Sequence, residues 1–220
     1  AVSQGVRGVV FDLDGLLIES EEYWEQARRE FVARYGGTWG EDAQQAVMGA
    51  NTRQWSRYIR EAFDIPLTEE EIAAAVIARM QELYHDRLPL LPGAVPAVRA
   101  LADRYPLAVA SSSPPVLIRF VLAEMGVAEC FQSVTSSDEV AHGKPAPDVY
   151  LLACERLGVA PEQAVAFEDS TAGIAAALAA GLRVIAVPNR GYPPDPDVLR
   201  RADLTLPSLE EFDPAVLEQW

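Results

Sequence analysis

The sequence predicts an α/β protein: a doubly wound parallel sheet with a helical segment inserted after its first strand. Three observations carry this. Short apolar runs alternate with apolar positions at helical spacing, several of the helices stop at a glycine, and the alternation lapses between Ser20 and Arg87.

The apolar runs are Gly8 to Asp12, Leu107 to Ala110, Ala164 to Phe167 and Arg183 to Val187, with shorter candidates at Ser133–Ser136 and Asp203–Leu206. Uninterrupted apolar runs of this length suit strands covered on both faces, as in parallel sheets. Between them, Val95, Val98, Leu101 and Ala102 form one helical face. Leu117, Val121 and Met125 form a second before Gly126, Val149, Leu152, Ala153 and Leu157 a third before Gly158, and Ala172 to Ala180 a fourth before Gly181. Glycine enters the left-handed conformation that ends helices at little cost. Strand–helix alternation of this kind implies a doubly wound sheet.

From Ser20 to Arg87 there is no strand-like run. Tyr23, Ala27, Phe31 and Tyr35 recur every four residues, and Trp55, Tyr58, Ile59, Ala62 and Phe63 share helical spacing. Thr68-Glu69-Glu70-Glu71 has the form of a capping box ahead of Ile72, Val76, Met80 and Leu83. The expectation is a core domain of residues 1–18 and 88–220 and a helical cap of residues 19–87, joined by crossings near Leu17–Ser20 and Arg87–Gly93. A cap entered at that point overhangs the end of the first strand. The loop Pro188–Pro196 reads as a surface connection, and His85 and His142 as loop residues.

Half of the 220 residues are apolar, enough for a full core, and 33 acidic residues against 18 basic ones leave a net charge of −15. Such a surface repels nucleic acid and anionic membranes, so neither is expected as a partner, and any phosphate site needs its own local positive charge. Cys130 and Cys154 are too few for a disulfide framework and read as small apolar residues. Ala1 to Arg7 lacks a signal-peptide pattern, and the Ala-rich run Ala172 to Leu182 is too short to span a bilayer. A cytoplasmic protein, monomeric by default for its size, is the expectation.

The chemistry concentrates at strand ends. Val9-Val10-Phe11-Asp12-Leu13-Asp14-Gly15 closes an apolar strand with two carboxylates two residues apart, which an extended chain points to one side. They meet at the carboxyl end of the strand, where open α/β sheets bind ligands. Two such carboxylates repel unless a proton or cation lies between them, and a hard divalent ion, Mg²⁺, suits an all-oxygen set. Ser111-Ser112-Ser113 follows the second long run, Gly143-Lys144-Pro145 precedes the third helix, and Glu168-Asp169-Ser170 ends the strand after it. Read singly, each has a plain structural role: a turn, a solvated lysine, a helix cap. At successive strand ends they supply a hydroxyl, an ammonium and four carboxylates to one edge of the sheet.

These four motifs resemble those of the haloacid dehalogenase superfamily, in the branch of helical-capped sugar-phosphate phosphatases and β-phosphoglucomutase. Leu16-Leu17-Ile18-Glu19-Ser20-Glu21, Leu90-Leu91-Pro92-Gly93 and Ala110-Ser111-Ser112-Ser113-Pro114 are similar to stretches of the hexose-phosphate and deoxyhexose-phosphate phosphatases. The resemblance implies a Rossmann-like core and Mg²⁺-dependent hydrolysis of a small phosphorylated metabolite. It makes Asp12 the nucleophile that forms an aspartyl-phosphate and Asp14 the general acid and then base. Asp12, the backbone carbonyl of Asp14, Glu168 and Asp169 would hold the metal. Asp12, Leu13, Asp14, Ser111, Ser112 and Lys144 would surround the phosphoryl group, with Lys144 neutralising charge. Glu19, Trp24, Asn51, Arg53 and Ser113 are the candidates for the rest of the substrate.

Two departures bear on the alternative of a phosphoglucomutase-like isomerase. The mutases' first cap helix carries a histidine twelve residues after the nucleophile, where this chain has Trp24, and their lysine after the second-motif serines is replaced by Pro114. Both favour water as the acceptor. Trp24 is then either a core residue of the helix pair or a stacking face for a sugar. Glu19 is a hinge charge or a substrate contact, and Arg53 a surface residue or a reader of a hydroxyl or phosphate.

Overall fold

The computed structural model describes residues 5–220; Ala1–Gln4, which form part of the leader reading and of the expected core boundary, lie outside the described residues. The strands are β1 (Gly8–Phe11), β2 (Leu107–Ser111), β3 (Ser133–Ser136), β4 (Ala164–Glu168), β5 (Arg183–Ala186) and β6 (Leu204–Thr205). They form one all-parallel sheet in the order β3-β2-β1-β4-β5-β6. The predicted doubly wound α/β fold is the one observed. The chain winds to one side of β1 through β2 and β3, then returns to its other side at β4, and this reversal opens a crevice at the carboxyl ends of β1 and β4.

The nine α-helices among the described residues are α1 (Glu21–Ala33), α2 (Glu41–Val47), α3 (Thr52–Ala62), α4 (Glu69–Asp86), α5 (Ala94–Ala102), α6 (Pro115–Glu124), α7 (Asp148–Leu157), α8 (Thr171–Ala180) and α9 (Pro196–Leu199). Residue size sorts the two faces of the sheet. Val9, Phe11, Val109, Val165, Phe167 and Ile185 face α5 and α6 in one core, with Phe11 and Phe167 stacked at 4.8 Å. The opposite face is small: Val10, Ala108, Ala110, Ala166, Val184 and Ala186 meet α7 and the alanines of α8. Alanine on both sides lets helix backbones lie close to the sheet, so adding methylenes there costs typically 1–3 kcal/mol.

Helices α1–α4 all lie between β1 and α5, and none contributes a strand. Their apolar residues Trp24, Phe31, Trp55, Ile72, Val76 and Met80 are continuous with the larger core, and α4 also packs on α6. Asn51 starts α3 with a full capping box to Gln54, and Thr68 accepts from the Glu71 N–H to start α4.

Three expectations are corrected. Helix α2 was not foreseen; its seven residues offer too few turns for a periodic signal. His85 lies in the last turn of α4 rather than in a loop, facing Glu124. The loop after β5 is more than a surface connection, since Asn189 is buried there. Both cysteines are free thiols, Cys154 buried. Among the described residues, no helix is long and apolar enough to cross a membrane.

Candidate active site

Strand β1 ends with its backbone tied to its neighbour: the Asp12 N–H donates to the Phe167 carbonyl at 3.1 Å. The chain then turns tightly. Leu17 N–H donates back to the Leu13 carbonyl at 2.9 Å, and Gly15 takes φ +83°. A side chain at residue 15 would be strained by that φ and would also put its Cβ 2.1 Å from Asp169 Oδ2, so only glycine fits.

Asp12, Glu168 and Asp169 are buried, and one carboxylate oxygen from each lies within 4.8 Å of the others. Asp12 Oδ1 accepts from its neighbour's Leu13 N–H at 2.8 Å and from Lys144 Nζ at 3.2 Å. Lys144 also donates to Glu168 Oε1 at 2.7 Å and to the Ala110 carbonyl at 3.0 Å. One ammonium from the loop before α7 thus links the ends of β1, β2 and β4.

Three buried carboxyls beside one lysine are short of positive charge. Burial, only partly offset by Lys144 and reinforced by the Asp169 charge, raises the Asp12 pKa to about 8. Burial and the Asp12 charge lift Glu168 to about 7, and burial with the Glu168 charge lifts Asp169 to about 7. For Lys144 burial works against the charge, but the carboxylates of Asp12 and Glu168 outweigh it and push its pKa up. Asp169 Oδ1 is buried with no hydrogen-bond partner. Such an orphan acceptor in an all-oxygen cluster of excess negative charge fits a hard divalent cation.

Asp14 is held differently. Ser20 Oγ donates to its Oδ1 at 2.6 Å, and Ser113 and Ser111 donate to its Oδ2 at 2.7 and 3.2 Å. Its carboxylate is not among the three that converge. Ser111 is fully buried and also accepts from the Ser113 N–H, whereas Ser112 faces the cavity.

That cavity, of about 150 Å³, is lined by Asp12, Asp14, Glu19, Ser112, Lys144 and Asp169, among others. Met48 and Gly49, between α2 and α3, close it from above. Trp24 faces an adjoining recess. Asn51 and Arg53 do not line either space; they flank a separate cleft with Asp138, and Asn51 is occupied in capping α3.

The family model described as haloacid dehalogenase-like hydrolase matches residues 6–181. This chain belongs to that family. The hydrolase is 34% identical over 180 residues to the fructose-1-phosphate phosphatase YqaB of Escherichia coli K12, covering 82% of this chain and 95% of that protein. It is 35% identical over 214 residues to hexitol phosphatase B of the same organism, covering 94% of each. Among solved structures, CbbY of Rhodobacter sphaeroides in complex with phosphate superimposes with a TM-score of 0.86 at 29% identity, covering 97% of this chain and 99% of that one.

The structure of the hydrolase also brings in residues that sequence reasoning missed. Tyr150 donates to Glu168 Oε1 at 2.5 Å, and Asn189 donates to Glu19 Oε2 at 3.0 Å beside the cavity. Arg28 is buried between two tryptophans. Only Arg28 carried a signal: it stands four residues after Trp24, on the apolar stripe of its helix.

Proposed function

We propose that this hydrolase is a Mg²⁺-dependent phosphatase of a small phosphorylated metabolite, a sugar phosphate such as a hexose or deoxyhexose phosphate, acting through an aspartyl-phosphate on Asp12. It is a phosphoric monoester hydrolase by family and by its phosphatase relatives. The observation that carries the finer reading is the convergence of Asp12, Glu168 and Asp169 with Lys144, of which Asp12, Asp169 and Lys144 line a cavity bordered by the start of α1 and the α2–α3 loop while Glu168 lies buried behind them. The segment 19–87 is the proposed cap, and the cavity beneath it the proposed substrate site.

In this reading an Asp12 oxygen attacks phosphorus as the ester P–O bond breaks. The proton carried by Asp14 passes to the departing alkoxide. Water then attacks the phosphorus of the aspartyl-phosphate and loses its proton to Asp14. The P–O bond to Asp12 breaks, and inorganic phosphate leaves. Lys144 holds positive charge beside Asp12 throughout, and Ser112 with the backbone N–H groups after Asp12 faces the phosphoryl oxygens. Mg²⁺, held by Asp12, Asp169, Glu168 and the Asp14 backbone carbonyl, would supply charge neutralisation at the phosphoryl group.

The magnitudes require the whole set. The slowest phosphate-monoester hydrolyses are accelerated by about 10²¹, roughly 28 kcal/mol. A general acid supplies about 10²–10⁴ of this, roughly 3–5 kcal/mol, so most falls to positioning and preorganised charge.

The test is Asp12→Asn. The expected result is an unchanged fold by circular dichroism and no phosphate release from sugar monophosphates that the parent enzyme hydrolyses with Mg²⁺. Substantial turnover by the pure variant would remove Asp12 as nucleophile. Glucose 6-phosphate accumulating from β-glucose 1-phosphate, with a trace of the bisphosphate, would mark an isomerase instead.

A further inference from the structure

Arg28 lies in α1 at 4% exposure and is the only buried arginine among the described residues. Its guanidinium sits 4.7 Å from the Trp24 ring centroid and 5.1 Å from that of Trp55. It makes no hydrogen bond or ion pair with any described residue, and Nε is sealed from solvent without a partner. A buried cation left without a hydrogen bond is costly, and arginine is rarely buried unless paired. The two indoles offset part of that cost through cation–π contact. The guanidinium's N–H edge is left without an acceptor.

The space it borders is a recess of about 70 Å³ that also touches Asp14, Ser112 and Ser113. This recess shares Asp14, Ser20, Glu21, Met48, Gly49 and Ser112 with the cavity over Asp12, so the two form one continuous site. Lys144 stands at one end and Arg28 at the other. Beside Arg28, Glu21 is fixed by Gln44, whose amide donates to Glu21 Oε1, while Gln44 Oε1 in turn accepts from the Trp39 indole at 2.9 Å. The recess therefore presents an unsatisfied donor next to an immobilised acceptor.

Charge decides what such a pair would take. Arg28 is the only cation of this end, against Glu21, Glu19 and Asp14, so a second phosphate or a carboxylate would meet net negative charge. A hydroxyl needs no net charge: it accepts from the guanidinium and donates to the carboxylate. We propose that Arg28, acting with Glu21 across the recess they both line, recognises the hydroxyls of a neutral polyol or sugar chain at the end of the substrate remote from its phosphate. Substrates with an anionic remote end are excluded. This rests on the phosphatase reading above and narrows it.

The experiment compares phosphate release from a hexitol monophosphate, phenyl phosphate, phosphoglycolate and a hexose bisphosphate, in the wild type and in Arg28→Met. The wild type is expected to favour the hexitol ester over all three others. In Arg28→Met the ratio of kcat/KM for hexitol phosphate to that for phenyl phosphate is expected to fall at least tenfold, chiefly through KM. Arg28→Lys keeps a charge between the indoles and serves if the Met variant fails to fold by thermal melt; there the ratio falls at least threefold. Equal losses on both esters would reduce Arg28 to a structural residue and overturn the proposal, as would a wild-type preference for phosphoglycolate or the bisphosphate. If the wild type releases phosphate from none of the four with Mg²⁺, the phosphatase reading itself fails. Hydrolysis without preference for the hexitol ester removes only the narrower claim.

Discussion

Ser20 Oγ donates a 2.6 Å hydrogen bond to Asp14 Oδ1, joining the residue just ahead of α1 to the proposed acid–base carboxylate. The link is structural news about both. Ser20 is not spent on capping its helix, since no side-chain cap bond forms, and Asp14 gains an anchor in the segment that leads into the proposed cap. Ser20→Ala is expected to lower kcat by about tenfold, the range of one hydrogen bond to a charged acceptor. KM should shift little, and the loss should vanish in an Asp14→Asn background, because the serine acts only through the aspartate. Equal losses in both backgrounds would separate the two residues.

Gly173 is as constrained as Gly15, for a different reason. Its backbone is ordinary helix, but a Cβ there would fall 1.9 Å from Glu168 Oε2. Glu168 can step aside only by giving up its hydrogen bonds with Lys144 and Tyr150, which both hold its other oxygen. Gly173→Ala is therefore expected to displace Glu168 and weaken Mg²⁺ binding by roughly ten- to a hundredfold, the scale seen when groups behind metal ligands are disturbed. Calorimetric titration with Mg²⁺ checks this; unchanged affinity would show that Glu168 does not help to hold the metal.

The parts of the site legible in the sequence are those whose partners are set by strand ends. Asp12, Ser111, Glu168 and Asp169 each close or follow an apolar run, and a parallel sheet brings such ends to one edge whatever the loops do. Lys144 was legible only through its motif, since nothing local shows that it reaches three strands. Tyr150 and Asn189 were not legible: each acts through one hydrogen bond to a residue 18 and 170 positions away, respectively. Arg28 was legible only in part: its place on the stripe of Trp24 could be read, but the Trp55 that completes its sandwich lies on another helix. Asn51 and Arg53 illustrate the converse, as their place at a helix start did not say which cleft that start overlooks.

The raised carboxyls give the metal-free protein a distinctive pH response. Asp12, lifted to about 8, and Glu168 and Asp169, lifted to about 7, owe this first to burial. In the unfolded chain such groups lose their protons near pH 4. Between those values the folded state binds more protons than the unfolded state, so stability falls as pH rises. Their contribution is present below about pH 4 and is lost as pH climbs through 7 to 8. Mg²⁺ competes for the same oxygens and binds their deprotonated forms. Thermal melts in EDTA are expected to drop in Tm from pH 5 to pH 8, with the rise on adding Mg²⁺ growing over the same interval. A Mg²⁺-induced rise that is largest at pH 5 would contradict the assignment of these carboxyls to the metal.

A last contact joins the middle of the helical segment to the sheet domain. The Thr52 N–H and Oγ1, at the start of α3, donate to the two oxygens of Asp138 at 2.9 and 2.6 Å. Asp138 lies just beyond β3, in a short 3₁₀ turn that Ser136 caps. A carboxylate facing a helix N-terminus is favoured by the backbone dipoles as well as by the direct bonds. The proposed cap is thus tied to the core at Ser20–Asp14, beside the cavity, and at Thr52–Asp138, in the neighbouring cleft. Asp138→Ala is expected to release the second tie. Amide exchange across Thr52–Ala62 should quicken, and KM for sugar phosphates should rise several-fold, because closure must then be driven by substrate alone. Sheet amides of β1 and β4, which are not neighbours of β3 in the sheet, should keep their protection. Faster exchange there as well would mean that Asp138 supports the core as a whole, and the latch would have to be abandoned.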